Sequence, residues 1–519
     1  MKKIILSLSL LICVSLSSQT YPKDWHLNYS AKDTALGIDL FNALKNFPQP
    51  ATAKEIIVAV IDDGIDIEHE DLKQNIWVNP KEIPGNSVDD DLNGYVDDIN
   101  GWDFIGGPQM DVEIDNLEMT RLLRDYIAKY GNKTKKEISK ADRADFARFK
   151  TIQAEHAKKL DEAGKNFNTY KTIKQFFDAL EQELETTDIS AKDLEKFNPT
   201  KNEAKLARKI ILDQCVGGKS TPKDVFNDVK DAYKHFYASY KYQLNLEYDP
   251  RYIVGDNYED TKNRFYGNNE VKGPNGDHGS HVGGIIGAVR DNKIGMQGIS
   301  PLVKIMVLRV VPDGDERDKD VANAIRYAVD NGAKVINMSF GKAYSYNKTY
   351  VDEAFRYAES KDVLIIHAAG NDGKNTDKES NFPTPYYEDG SLCKTWIEVG
   401  ASDRDQNPAD FSNYGKKTVN VFAPGVNIYS TVINNEYKAF SGTSMASPVT
   451  AGLAALIRAY YPHLTAIQVK QVIEGTVVKP TNKVRKPGTK KKKTKYKKLC
   501  TTAGIINANE ALKAAAAIK

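Results

Sequence analysis

The chain alternates between short, unbroken apolar runs and stretches whose apolar residues recur every three to four positions. The first strong run is Ile56 to Ile61, inside EIIVAVIDDGID. An unbroken run bounded by charge fits a strand buried on both faces of a parallel sheet. Similar runs follow at Lys304–Val311, Lys334–Met338, Val363–Ala368, Trp396–Val399 and Val419–Phe422. Between them, Val321–Asn331 and Val351–Ser360 carry apolar residues at helical spacing. A further helical pattern starts in Phe440–Pro448, FSGTSMASP, and continues through VTAGLAALIRAY. The chain closes with TAGIINANEALKAAAA, read as a short strand and a helix. Strands alternating with helices predict an α/β fold with a mostly parallel central sheet, covered on both faces in three layers.

Residues 115–248 break this rhythm. Segments such as LLRDYIAKY and DVFNDVKDAYKHFYASYKYQL place apolar residues on one helical face, and Gly and Pro are scarce until Gly217. They predict a largely helical insertion between core segments 55–114 and 249–519, preceded by an N-terminal segment over 19–54 anchored by Trp25 and Phe41. No motif marks the insertion, so a steric or structural role is expected, with partner binding as the alternative.

Composition narrows the compartment and the partners. A net charge of +2 over 519 residues gives no global pull toward nucleic acid. The run KVRKPGTKKKKTKYKK at 483–498 is read as a solvated basic loop, so no nucleic-acid partner is expected. Met1-Lys2-Lys3, the apolar Ile4–Leu16 and Ser15-Leu16-Ser17 have the form of a Sec-type export signal over 1–18. No later stretch reaches transmembrane length, and a periplasmic or extracellular monomer is predicted. Once the signal is removed, Cys215, Cys393 and Cys500 remain, with Cys393–Cys500 the preferred disulfide in an oxidising compartment.

Ser87 to Asn100, SVDDDLNGYVDDIN, is strongly acidic. Asp89, Asp91 and Asn93 alternate, Gly94 permits a sharp turn, and the Tyr95 carbonyl and Asp97 follow at the seventh and ninth positions. That spacing matches the first part of an EF-hand-type calcium loop, but Asn100 stands where a bidentate glutamate is needed. The segment fits either a structural calcium site or a solvated acidic turn.

Candidate chemistry sits at the ends of these elements. Gly442, Thr443 and Ser444 lead into the last strong helical pattern, so Ser444 lies near a helix N-terminus, where negative charge is stabilised. A capping serine is the plain alternative; a nucleophile would require a base, an acid and an oxyanion donor elsewhere. Asp62 ends the first strand, His278 opens the small-residue stretch DHGSHVGG, and Asn371 follows Ala369-Gly370.

VAVIDDGID, DHGSHVGG, AAGNDG and SGTSMASP, in that order, resemble the aspartate, histidine, oxyanion and nucleophile motifs of subtilisin-like serine peptidases. The similarity runs over Glu55–Leu72 and Gly273–Ile473, and NMSFG at Asn337–Gly341 resembles the strand lining the family's substrate cleft. The resemblance implies a serine endopeptidase with Asp62, His278 and Ser444 as triad and Asn371 as oxyanion donor, needing no cofactor for its chemistry. Protein or peptide substrates would lie along Ser339, Phe340 and Gly341, with Ala368, Ala369 and Gly370 walling the S1 pocket and Asn381 at its base. By the same resemblance His281 is structural. Two departures stand out. About 215 residues separate Asp62 from His278, and only about 35 separate the signal from the first strand, too few for the usual inhibitory propeptide. An α/β-hydrolase is disfavoured, because its serine precedes its acid and base.

Overall fold

The computed structural model describes residues 22–30, 35–184, 186–218 and 220–519; the expected export signal over 1–18 lies outside them. The described chain forms two compact units, one of residues 119–249 and the other of the residues up to 118 and from 250 onward.

The larger unit is built on seven strands: β1 (Ile56–Asp62), β2 (Gly101–Asp103), β3 (Val303–Arg309), β4 (Val335–Met338), β5 (Leu364–Ala368), β6 (Trp396–Ser402) and β7 (Val421–Pro424). They lie in the order β2-β3-β1-β4-β5-β6-β7, every neighbour parallel. β1 pairs with β3 from Ile56↔Val303 to Asp62↔Arg309, and with β4 from Val58↔Val335. The strand order therefore reverses beside β1, which puts Asp62 at the carboxyl end of the switch strand. Open α/β sheets place their ligand-contacting groups there.

Alternation along β1 divides the core into two layers. Val58 and Val60 pack with α1 (Asp277–Gly287) and α4 (Thr443–Tyr460) through Val282, Ile285, Val449, Leu453 and Leu456. Ala59 and Ile61 face the opposite layer, where α2 (Asp318–Asp330) and α3 (Lys348–Ser360) contribute Val321, Ile325, Val351 and Phe355. From Met445 to Tyr460 every residue of α4 is buried, which its run of Ala, Gly and aliphatic residues permits.

The predicted α/β architecture is therefore present, with shifted element ends. Helices α2 and α3 begin three residues before their apolar periodicity, because a polar first turn carries no hydrophobic signal. The Asn347 side chain caps α3 by accepting from Tyr350 N–H. Strand β2 and a hairpin of β8 (Ile428–Val432) with β9 (Glu436–Phe440) had no counterpart among the sequence-predicted elements. Part of the basic run also pairs, as β10 (Val484–Arg485) with β11 (Lys493–Thr494), fastened by buried Val484 and Tyr496 and an Arg485–Asp410 ion pair.

The expected Cys393–Cys500 disulfide is not formed, and Cys215 is free as well. Cys393 packs in the α2/α3 layer, whereas Cys500 lies in a separate cluster with Val419, Phe422 and Tyr496. Both act as small buried hydrophobes, and burial pushes the Cys500 thiol up to about 11.

The second unit is helical. Its longest element, Arg143–Leu184, has 42 residues and so a length of about 63 Å. Tyr170, Ile173, Phe177 and Leu180 from that helix form a core with Ala207 and Ile211 of Asn202–Cys215 and Val225 and Val229 of Pro222–Ala238.

Candidate active site

β1 delivers Asp62 to the site almost fully buried, at 2% exposure. Its Oδ1 accepts from Asp63 N–H at 2.9 Å and from His278 Nδ1 at 2.6 Å. An ionised carboxylate only accepts, so this contact places a proton on Nδ1 and turns Nε2 outward. His278 is the second residue of α1, and its side chain is about one-third exposed. Burial opposes charge on the ring, but the Asp62 carboxylate, by charge and hydrogen bond, followed by Asp63, outweighs it. His278 is thereby pushed up to about 9. Burial first, and then the Asp62 charge, push Asp63 up to about 8, and Asp63 Oδ1 accepts Gly279 N–H at 2.7 Å.

His281 stands apart from this pair. It is fully buried, its Nε2 contacts the carbonyls of Ile428 and Lys438 at 3.0 and 3.1 Å, and it stacks on Phe440. Burial lowers it to about 3, so it is a neutral strut joining α1 to the β8–β9 hairpin.

Ser444 is the second residue of α4. Its hydroxyl donates to the Ser339 carbonyl at 3.0 Å, while Ser339 Oγ donates to the Ser444 carbonyl at 2.9 Å. The second bond has a covalent cause. Pro448 lies four residues on and has no N–H, so the Ser444 carbonyl loses its helical donor and takes one from β4's end instead. Asn337 Nδ2 in turn donates to Ser339 Oγ at 3.0 Å, and Asn337 Oδ1 accepts Ser447 Oγ at 2.8 Å. Asn371 Oδ1 accepts Thr443 N–H at 2.9 Å and Thr443 Oγ1 at 3.0 Å, capping α4 from another loop. That commitment of Oδ1 fixes the amide and leaves Nδ2 as its donor.

A cavity of about 250 Å³ opens beside Ser444, lined by Ser339, Phe340, Gly341, Ala368, Gly370, Asn371 and Asn381. Asn381 lodges between two glycines: a Cβ at Gly341 would come within 2.6 Å of it and one at Gly370 within 3.4 Å.

A sequence profile of the subtilase family matches residues 53–500. The chain belongs to the subtilase family. It is 41% identical over 203 residues to the thermophilic serine proteinase of Bacillus sp. strain AK1, covering 39% of this chain and 47% of that protein. It is 37% identical over 201 residues to subtilisin DY of Bacillus licheniformis, covering 38% of this chain and 69% of that protein. Against thermitase of Thermoactinomyces vulgaris it is 37% identical over 203 residues, 39% of this chain and 67% of that protein. The matched region thus spans about half the length of the first relative and about two-thirds of the others.

Within this subtilase, most of the sequence-nominated cleft residues converge on the cavity. Ala369 does not line it: the side chain is buried behind the wall with Tyr414, Val419 and Phe422. The acidic loop is more divided. Asp89 and Asp91 come together, with Glu82 beside them. Asp97 turns away, its two oxygens accepting Gly85 N–H at 2.9 Å and Ser87 N–H at 2.8 Å. The Asn93 side chain bonds Tyr95 N–H and Asp98, and the Tyr95 ring is buried among Trp102, Phe104 and Tyr327. Sequence reasoning missed Glu316 and Asp372, which line the cavity, and Asn337, which supports Ser339. Asp372 was within reach, as the neighbour of Asn371. Glu316 lies in the acidic turn after β3, where nothing in the spacing singles out one carboxylate.

Proposed function

We propose that the chain is an exported serine endopeptidase that cleaves peptide bonds through an acyl-enzyme on Ser444. The 2.6 Å contact between His278 Nδ1 and Asp62 Oδ1, together with Ser444 at the start of α4, carries this reading. Rotation about the Ser444 Cα–Cβ bond frees Oγ from the Ser339 carbonyl toward His278 Nε2. His278 takes the hydroxyl proton as Oγ attacks the substrate carbonyl, and Asp62 holds the ring and stabilises the imidazolium. The tetrahedral oxyanion accepts from Asn371 Nδ2 and the Ser444 N–H, next to the positive end of α4. His278 then protonates the leaving amine, and water repeats the sequence to release the acid.

The substrate lies extended along Ser339, Phe340 and Gly341, adding main-chain hydrogen bonds as a strand would. Ala368 and Gly370 flank the side chain before the cut bond, with Asn381 beneath it. Asn381 itself offers a neutral amide, and the carboxylates of the cavity are those of Glu316 and Asp372. All four reacting groups come from one chain, so a monomer suffices. The basic n-region and apolar stretch of residues 1–18 support export, and no helix among the described residues is long and apolar enough to cross a membrane.

Labelling by a fluorophosphonate probe tests the reading, together with cleavage of a peptide library. Wild type should label on Ser444, and Ser444→Ala and His278→Ala should lose both labelling and cleavage. Equal labelling of Ser444→Ala would overturn it and leave the fold as a binding scaffold.

A further inference from the structure

Residues 483–498, KVRKPGTKKKKTKYKK, hold ten of the chain's 72 basic residues and none of its 70 acidic ones. The rest of the chain carries 62 basic against 70 acidic groups, so positive charge is concentrated in this one stretch. Lys490, Lys491, Lys492, Lys493, Lys495 and Lys497 are all exposed, and among the described residues no carboxylate is in ion-pair contact with any of them.

A solvated loop would let these like charges spread apart, but the β10–β11 hairpin holds them together. Arg485 lies directly opposite Lys493, and Lys486 N–H donates to the Lys492 carbonyl at 2.8 Å. Like charges facing each other on paired strands cost stability. That cost is met by anchoring. Val484 and Tyr496 are buried with Ala369, Tyr414 and Phe422, the Tyr496 hydroxyl donates to the Gln406 carbonyl at 3.0 Å, and Arg485 pairs with Asp410.

The hairpin's turn lies against the loop that carries Asn371. Gly488 N–H donates to the Asp410 carbonyl at 2.8 Å, and Gly373 N–H donates to the neighbouring Phe411 carbonyl at 2.7 Å. The two glycines touch: a Cβ on Gly373 would come within 2.6 Å of Gly488 Cα. Gly373 is two residues beyond Asn371, at most about 7 Å of backbone. An extended peptide advances about 3.3 Å per residue, so a chain leaving the cut bond on this side meets the hairpin after about four residues. Ala369, behind the cleft wall, shares its buried cluster with Val484 and Tyr496, so hairpin and wall stand on one core.

We propose that the 483–498 hairpin is a docking surface for acidic segments of the polypeptide substrate, a few residues from the bond that is cut. The proposal rests on the peptidase reading above. Charge acts over about 8 Å at physiological ionic strength, so the lysines reach a chain entering the cleft and little beyond it. The cavity itself holds Glu316 and Asp372, which repel carboxylates, so acidic residues belong outside it, on the hairpin. Nucleic acid fits less well: single-strand binders interleave basic residues with aromatic stacking platforms, and Tyr496, the one aromatic residue of the run, is buried. A lipid surface would call for apolar residues beside the lysines, and Val484, Pro487 and Tyr496 are all buried.

The test uses three internally quenched peptides with one cleaved core: one with uncharged flanks, one with a short run of glutamates before the cut bond, and one with the run after it. Wild type should cleave one of the acidic peptides with kcat/KM at least about tenfold above the uncharged peptide, the gain residing in KM. The gain should shrink at least about threefold between about 50 and 300 mM salt. Combining Lys490→Gln, Lys491→Gln, Lys492→Gln and Lys493→Gln should bring the ratio of acidic to uncharged peptide near one, whereas the four corresponding Lys→Arg changes should preserve it. Cleavage of the uncharged peptide without advantage for either acidic one overturns the docking surface and leaves the peptidase reading standing. Failure to cleave all three sinks that reading and this proposal with it. A gain that survives the Gln variant, or is lost equally in the Arg variant, also overturns the proposal. So does a single-stranded DNA oligonucleotide that binds the Ser444→Ala chain more tightly than the acidic peptides in fluorescence anisotropy, which would give the hairpin to nucleic acid.

Discussion

In the proposed mechanism Asn371 carries two jobs on two atoms, and substitution can separate them. Oδ1 caps α4 by accepting from Thr443 N–H and Oγ1, while Nδ2 is assigned to the oxyanion. Asn371→Ala removes both. Loss of one oxyanion donor costs roughly 3 kcal/mol of barrier, a magnitude established on a subtilisin asparagine, so kcat should fall about 10²–10³-fold. Loss of the cap should lower stability by about 1 kcal/mol. Asn371→Asp keeps an acceptor for Thr443 but replaces the donor with oxygen and brings negative charge to the developing oxyanion. Its kcat should fall further than that of Asn371→Ala, while its stability stays close to the parent. Turnover of a chromogenic peptide gives kcat and KM, and urea unfolding in the Ser444→Ala background gives stability without autolysis. An Asn371→Asp enzyme within about threefold of wild-type kcat would refute the donor role. A loss confined to KM in Asn371→Ala would do the same.

Four further outcomes are expected. His278 must be neutral to accept a proton, and its upward shift to about 9 places the acid limb of kcat/KM above the ordinary value near 6.5; a limb at or below 6.5 would contradict the Asp62 contact. The same shift makes the His278 contribution to stability full below about pH 6.5 and lost as pH rises through about 9, so the Tm gap between the parent and His278→Ala should close over that window. Arg309 is buried, with Nη1 on Asp103 at 2.6 Å, Nη2 on the Val112 carbonyl and Nε on the Asp63 carbonyl. Arg309→Leu strands the Asp103 carboxylate and should cost about 3–5 kcal/mol in urea unfolding; a loss below about 1 kcal/mol would show that Asp103 is not held by that pair. Native thiol labelling read by mass spectrometry should modify Cys215 and spare Cys393 and Cys500, and reductant should leave Tm unchanged. A Cys393–Cys500 linked peptide would contradict this.

The α/β class was legible because β1 and β3 to β7 are buried on both faces and write that burial as apolar runs. Strand β2 was not, because three residues carry no period and Gly101–Asp103 is held by pairing with β3 and by Tyr266 accepting from Trp102 Nε1. The β8–β9 hairpin escaped notice for a related reason: Glu436–Phe440 is mostly exposed and presents no apolar face. The positions of Asp62, His278, Asn371 and Ser444 could be nominated because each sits at the end of a strand or the start of a helix. Covalent features there, such as the small residues around Ser444, are local.

By itself, then, the chain determined its layered α/β class and set Asp62, His278, Asn371 and Ser444 at the ends of elements, since burial period and local motif are properties of neighbouring residues. Tertiary structure alone decided the contacts between residues far apart in sequence. It joined His278 to Asp62 across 216 positions. It also kept Cys393 and Cys500 in separate cores and hid Ala369 behind the cleft wall. Which oxygen meets which proton depends on how strands and loops are brought together, and no run of adjacent residues encodes that distance.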